Sequence, residues 1–315
     1  MHSKFLAKMH SRRNLRIKVM QALYAHQQNP SRDFLSLRKS LQQSIGETDK
    51  LFLFNIYFLI RVAEFSIDDL QVQSEKHLST ADEKNVSTLI YKNALIQKLT
   101  NDEYYRGFVE KQKPHLKTDE DLVRKFYLEL KKSEEYKKFV AENSADDKSL
   151  SKIFQFLYGE MIYQSETFDS WMEDLYPIWA DEHTFVHKQV DTALKTGEIG
   201  LDDKEDDAVK FSFQLLEKTF DCENELMELI KPKLKNWDAD RLAAIDLILI
   251  KLALSEILYF ENIPVKVSIN EYIDISKLYS TPKSKDFVNG MVDKIKNELQ
   301  RDGKIQKSGR GLVND

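Results

Sequence analysis

From Leu242 to Leu258 the chain reads LAAIDLILIKLALSEIL. Apolar side chains fall on every face of the implied helix, from Leu242 and Ala243 through Leu249 and Ile250 to Ile257 and Leu258. A helix without a polar face is normally surrounded by other helices. The stretch 239–260 is therefore expected to be the central helix of the C-terminal part. Asp246 stands out on it: an acid set among apolar residues must be paired or face a partner, and an internal salt bridge fits as well as a partner contact.

Outward from this helix the signals are helical in both directions. Downstream, Asn262-Ile263-Pro264 predicts a turn and a helix over 264–279, with proline at its first position. Ser280-Thr281-Pro282 repeats the device, with Thr281 as N-cap and a helix to about residue 300. The end, 301–315, is polar and is expected to be disordered. Upstream, 208–234 reads as one amphipathic helix ending near Pro232, and Gly197–Asp207 as a linker. At the start, Leu15, Val19, Ala22, Leu23 and His26 make one face of a helix over 12–28. A short helix over 33–44 ending at Gly46 is expected next, then a long one capped by Thr48 or Asp49 and running to about residue 77. From 83 to 200 further helices are expected, with joints at Lys113-Pro114 (Thr118 capping the next helix), at Ser144–Lys148 and at Tyr176-Pro177.

Composition agrees with an all-α chain. Of 315 residues, 42% are hydrophobic and 31% charged, with only 9 Gly and 6 Pro, too few turn residues for a protein of many strands. The net charge of −5 means that any nucleic-acid site is a local patch. The single cysteine, Cys222, excludes an internal disulfide framework and fits a reducing, cytoplasmic compartment. Leu51–Ile60 is the most apolar run of the first half; it stops at Arg61, about half the length that crosses a bilayer, so no membrane segment is expected.

Enzyme signatures are poor. No phosphate-binding loop, dinucleotide fingerprint or Gly-x-Ser-x-Gly elbow occurs, and no cofactor is implied. His183 and His187 have the i,i+4 spacing of metal ligands but lack the glutamate of a metalloprotease motif and a third ligand. The acidic run 202–207 lacks the alternation of a calcium loop and reads as a solvated linker. What remains is basic. Lys4, Lys8, Arg12, Arg13, Arg16 and Lys18 crowd the first eighteen residues with no acid among them. Cations at a helix start oppose its dipole, whereas phosphate suits both helix N-termini and arginine forks. A solvated basic end fits this pattern as well as RNA binding does. Lys277, Tyr279, Lys283, Lys285 and Phe287 form a second basic and aromatic group, although Phe287 opens the apolar series Phe287, Met291, Ile295 and so reads as core.

Four parts of the chain carry a family resemblance. Ser11-Arg12-Arg13-Asn14-Leu15-Arg16, running on to Gln21-Ala22-Leu23-Tyr24, resembles the opening helix of NusB proteins. Ile263-Pro264-Val265-Lys266-Val267-Ser268-Ile269-Asn270-Glu271 is similar to their Val-Pro-x-Lys-Val-Ala-Ile-Asn-Glu signature. Phe287-Val288-Asn289-Gly290-Met291-Val292-Asp293-Lys294 is similar to their Phe-Val-Asn-Gly-Val-Leu-Asp-Lys ending, and Asp240-Arg241 with Ser255-Glu256-Ile257-Leu258 fits their central helix. The resemblance covers about 11–28 and 207–300. It implies a NusB-like helical bundle with an additional helical region, 29–200, inserted after the first helix.

By that resemblance the chain is expected to be a non-enzymatic antitermination factor of the cytoplasm. Its partners would be the boxA-type single-stranded leader of ribosomal RNA, the NusE-type small-subunit ribosomal protein and the RNA polymerase antitermination complex. Carried over by position, the RNA surface would comprise Lys8, Arg12, Arg13, Arg16, Lys283, Ser284, Lys285 and Phe287, and the NusE-facing surface Tyr24 and Asp246. Asn14 and Leu15 thin out the family's arginine cluster; Lys283 stands where the family can carry an acid. Lys266, Asn270 and Glu271 beside a helix opening read as structural. Two other readings are a helical protein–protein scaffold on the same fold, which would not prefer boxA over scrambled RNA, and a relative of ribosomal RNA methyltransferases, against which the lack of a cofactor loop counts.

Overall fold

Ser11 begins the first helix as its side chain permits: Oγ accepts from the Asn14 amide, satisfying one of the amides the helix itself cannot bond. The computed structural model describes residues 10–29, 33–74, 87–143, 146–201, 207–236 and 243–308. Among them there are fourteen α-helices and no strand, so the expected all-α class holds. They are α1 Arg12–Gln28, α2 Phe34–Ser74, α3 Ala94–Asn101, α4 Glu103–Gln112, α5 Glu120–Lys132, α6 Glu134–Glu142, α7 Asp147–Gln155, α8 Glu166–Leu175, α9 Trp179–Thr196, α10 Asp207–Asp221, α11 Glu223–Ile230, α12 Ala244–Tyr259, α13 Val265–Tyr279 and α14 Ser284–Arg301. None of the described helices is long and apolar enough to cross a membrane.

The chain forms two compact units: Gly46–Asp202, and His10–Ile45 with the chain from Asp203 onward. The division thus falls at residue 46 where the sequence put it at 29, because Leu37, Leu41 and Ile45 bury with α1 and α10–α14. Gly46 does not end a helix either. α2 runs through it, since burial on both sides outweighs the ~1 kcal/mol that a mid-helix glycine costs.

In the discontinuous unit α12 is central, as expected from its lack of a polar face. Leu249, Ile250, Leu252, Ala253, Leu254 and Ile257 are fully buried, and α1, α10, α11, α13 and α14 all pack on it. Three local expectations fail. The helix expected over 208–234 breaks at Cys222 into α10 and α11. Thr281 does not cap α14, which starts at Ser284 because Ser284 turns inward onto a buried acceptor. The tail is bound as far as Ser308: Lys307 Nζ donates to the carbonyls of Glu256 and Phe260 at the end of α12, 3.1 and 2.9 Å away, and the Ser308 amide donates to Glu261 O. Burial holds the Lys307 ammonium down at about pKa 8.

The other unit is built around the second half of α2. Every residue from Leu51 to Ile60 is buried, and α3–α9 supply the surrounding core. The joints at Lys113-Pro114 and Tyr176-Pro177 fall between helices as expected, but Asp119 rather than Thr118 caps α5. A π-helical turn, Phe156–Ile162, faces α9 and explains the histidine pair. Tyr163 stacks on His187 with ring centres 4.0 Å apart, and its hydroxyl lies 3.0 Å from His183 Nδ1. Burial holds the His187 pKa below its usual value, and its Nδ1 is buried without a hydrogen-bond partner. Protonation would add a buried donor with nothing to accept from it. The unfolded chain takes up that proton below about pH 6.5 and the folded one resists. This unit is therefore expected to melt at lower temperature at pH 5.5 than at pH 7.5, with a smaller difference in His187→Phe; an unchanged difference in that variant would clear His187.

Candidate nucleic-acid interface

Three arginines open α1, and the fold gives them three different surroundings. Arg12 is exposed; its guanidinium lies 5.3 Å from the centre of the Phe211 ring of α10, with no carboxylate partner among the described residues. Arg13 is about half exposed and reaches α13, donating from Nε and Nη2 to Glu271 at 2.8 and 3.0 Å and from Nη2 to Asp274 at 3.0 Å. The hydrogen bond to Glu271 is the main cause of its raised pKa.

Arg16 is not on the surface at all. Only 3% of its side chain is exposed, and it forms a fork on Glu256 of α12 through Nε at 2.8 Å and Nη2 at 2.6 Å. Ser268 and Tyr272 of α13 donate to the same carboxylate. Burial alone would lower the Arg16 pKa, yet the hydrogen bond and attraction to Glu256 raise it. The expectation that Arg16 contacts RNA is corrected on this ground: its donors are committed to a carboxylate that water does not reach.

At the start of α14 the sequence alternates outward and inward. Lys283 and Lys285 are exposed and have no carboxylate partner among the described residues. Between them Ser284 is buried, donating 2.7 Å to Asp246 Oδ2 and lying within 3 Å of the Ser280 and Thr281 hydroxyls. Phe287 is buried among the apolar residues of α12–α14. Neither is available to stack or bond a base as it stands, which corrects two further residues of the expected RNA surface. Lys8 lies outside the described residues.

Asp246 receives hydroxyls rather than a cation: Ser280 donates at 2.6 Å and Ser284 at 2.7 Å. It also sits in the first turn of α12, where the helix dipole favours a negative charge. With 5% exposure it is turned inward, with no cationic partner among the described residues, so the partner-facing expectation is corrected; Tyr24 is exposed on α1. Near it a cavity of about 210 Å³ opens between Leu23, His26 and Gln27 of α1, Phe220 and Lys251.

One acid joins the two basic groups. Asp274 accepts from Arg13 on one oxygen and from Lys277 on the other, 2.8 Å away, and these bonds, that of Lys277 foremost, hold its carboxyl below the usual range. Lys277 lies in the last turn of α13, and the turn after it carries Lys283. The start of α1 and the end of α13 thus meet on Asp274, and Arg12, Lys283 and Lys285 are exposed. Glu271 is structural, as its place beside a helix opening suggested, but the pairing of Glu256, Glu271 and Asp274 and of the Phe211 ring with the arginines was not legible in the sequence, because each meets its arginine across roughly two hundred residues or more of chain.

The profile of the NusB family matches residues 172–297. Over those residues the chain is similar to the NusB family. A transcription antitermination protein NusB of Salinibacter ruber is 44% identical over 103 residues, 33% of this chain and 64% of the relative. The protein of that name from Chloroherpeton thalassium is 42% identical over 106 residues, 34% of this chain and 50% of the relative. That from Natranaerobius thermophilus is 43% identical over 74 residues, 24% of this chain and 53% of the relative. The chain therefore spans between half and two thirds of these NusB proteins. No solved structure matches it. The matched range starts within α8, so it takes in part of the Gly46–Asp202 unit and leaves out α1.

Proposed function

We propose that this chain is an RNA-binding transcription antitermination factor that takes a boxA-type single-stranded segment of nascent ribosomal RNA together with a NusE-type ribosomal protein. The observation that carries the reading is the set of exposed cations, Arg12, Lys283 and Lys285, lying without carboxylate partners among the described residues on the unit that holds most of the NusB match. Its mechanism is positioning, not bond chemistry. Ammonium and guanidinium groups at two helix starts hold phosphates, the bases being read in unpaired form. The side of α1 that carries Tyr24 and the adjoining cavity is the proposed face for the ribosomal protein.

The test is a titration of the full chain with boxA-like and scrambled RNA, with and without the NusE-type protein, at two salt concentrations. Preference for boxA is expected, with a negative salt slope of about 0.7 per phosphate neutralised. Arg12→Glu and Lys285→Glu should each lower the slope magnitude by about that much and leave folding intact. Equal binding of both RNAs in the presence of the ribosomal protein would favour the scaffold reading.

A further inference from the structure

The end of the chain closes a second, chemically different site on the discontinuous unit. Between α13, α14 and the bound tail lies a cavity of about 540 Å³, lined by Val265, Lys266, Ile269, Asp293, Lys296 and the tail residues Ile305 and Lys307, among others. This volume is within the range of small-molecule sites, roughly 300–1,000 Å³. Its charge balance is uneven. Lys296 is paired with Asp293 at 2.9 Å. Lys266 has no carboxylate partner among the described residues, and Lys307 gives two of its three donors to backbone carbonyls, with Glu256 and Glu261 acting on it through electrostatic attraction. Two ammonium groups thus border one cavity without a paired counter-charge, which favours an anion there. Val265, Ile269 and Ile305 supply the apolar part of the lining.

We infer that this cavity is a site for a nucleoside phosphate, its phosphate between Lys266 and Lys307 and its base against Val265, Ile269 and Ile305. Gln300, also on the wall, and the Asp293 carboxylate suit a ligand whose body carries hydrogen-bonding groups; a plain acyl chain would strip water from both without replacing it. The same chemistry reaches the site as a free nucleotide or as one residue of an RNA strand. The site shares no lining residue with Arg12, Lys283 and Lys285 and does not depend on their reading.

The test is calorimetric titration of the full chain with AMP, GMP, CMP and UMP, with inorganic phosphate, and with a boxA RNA as competitor. Saturable binding of at least one mononucleotide is expected, at least tenfold tighter than phosphate. It should weaken roughly tenfold in Lys266→Glu and in Lys307→Met, the size of one lost charge-assisted contact. Lys266 is exposed, so the first variant is expected to fold; circular dichroism of both checks this. Displacement of the mononucleotide by RNA, retained in Arg12→Glu, identifies a strand as the source, and no displacement identifies a free nucleotide; either supports the site. Absence of saturable mononucleotide binding, binding no tighter than phosphate, or binding unaffected by Lys266→Glu overturns it, whatever the boxA titration gives.

Discussion

Arg16→Met should destabilise the discontinuous unit by about 3–5 kcal/mol, the cost of breaking a buried ion pair from one side. The guanidinium holds both oxygens of Glu256 in a place with no measurable exposure of that carboxylate. Methionine fills much of the same volume and can lie along the Phe211 and Tyr272 rings that now flank the guanidinium. What it cannot do is neutralise Glu256, which would keep only the Ser268 and Tyr272 hydroxyls. Urea unfolding monitored by hydrogen exchange of α12 amides reads this loss in the relevant unit. Adding Glu256→Met should return much of the stability, since removing both charges removes the desolvation cost as well. If Arg16→Met left stability unchanged and weakened only RNA binding, Arg16 would belong to the interface and its burial would have to open in solution.

Asp246→Ala should cost about 2–4 kcal/mol, from two hydrogen bonds to a charged acceptor and two hydroxyls left short of one. The effect should not stop at stability. Ser280 and Ser284 flank the turn that presents Lys283, so freeing them loosens the support of two proposed phosphate contacts. Asp246→Asn keeps one acceptor oxygen and should fall between the parent and the alanine variant in both unfolding and RNA affinity. Loss of stability with RNA affinity unchanged would show that the turn keeps its shape without Asp246.

The sequence made some features legible because their cause is local. The 242–258 stretch, apolar on every face, reads as a surrounded helix, and the proline signals at Pro264, Lys113-Pro114 and Tyr176-Pro177 act within a few residues of where they stand. The failures share a cause as well. Gly46 and Cys222 were judged by propensity, which packing overrides at the one and does not sustain at the other. Arg16, Ser284 and Asp246 were assigned to surfaces by position in a resemblance, whereas burial is set by neighbours distant in the chain; for Phe287 the apolar series gave the buried place that the resemblance did not. Arg12, Lys283 and Lys285 are exposed, as cations without a buried counter-charge are expected to be.

The Arg16–Glu256 contact spans 240 positions, and the order of synthesis gives that distance a consequence. α1 and the start of α2 leave the ribosome well before α10–α14, which complete their unit. At about 5–20 residues per second, the chain between Gly46 and Asp202 occupies roughly 8–30 s of elongation. During that interval the arginine-rich helix has no Glu256 to meet and the basic surface does not exist, while Leu51–Ile60 can already collect α3–α9. Newborn chains should thus carry a finished domain and an unassembled one, with the apolar face of α1 open to chaperones until the last helices emerge.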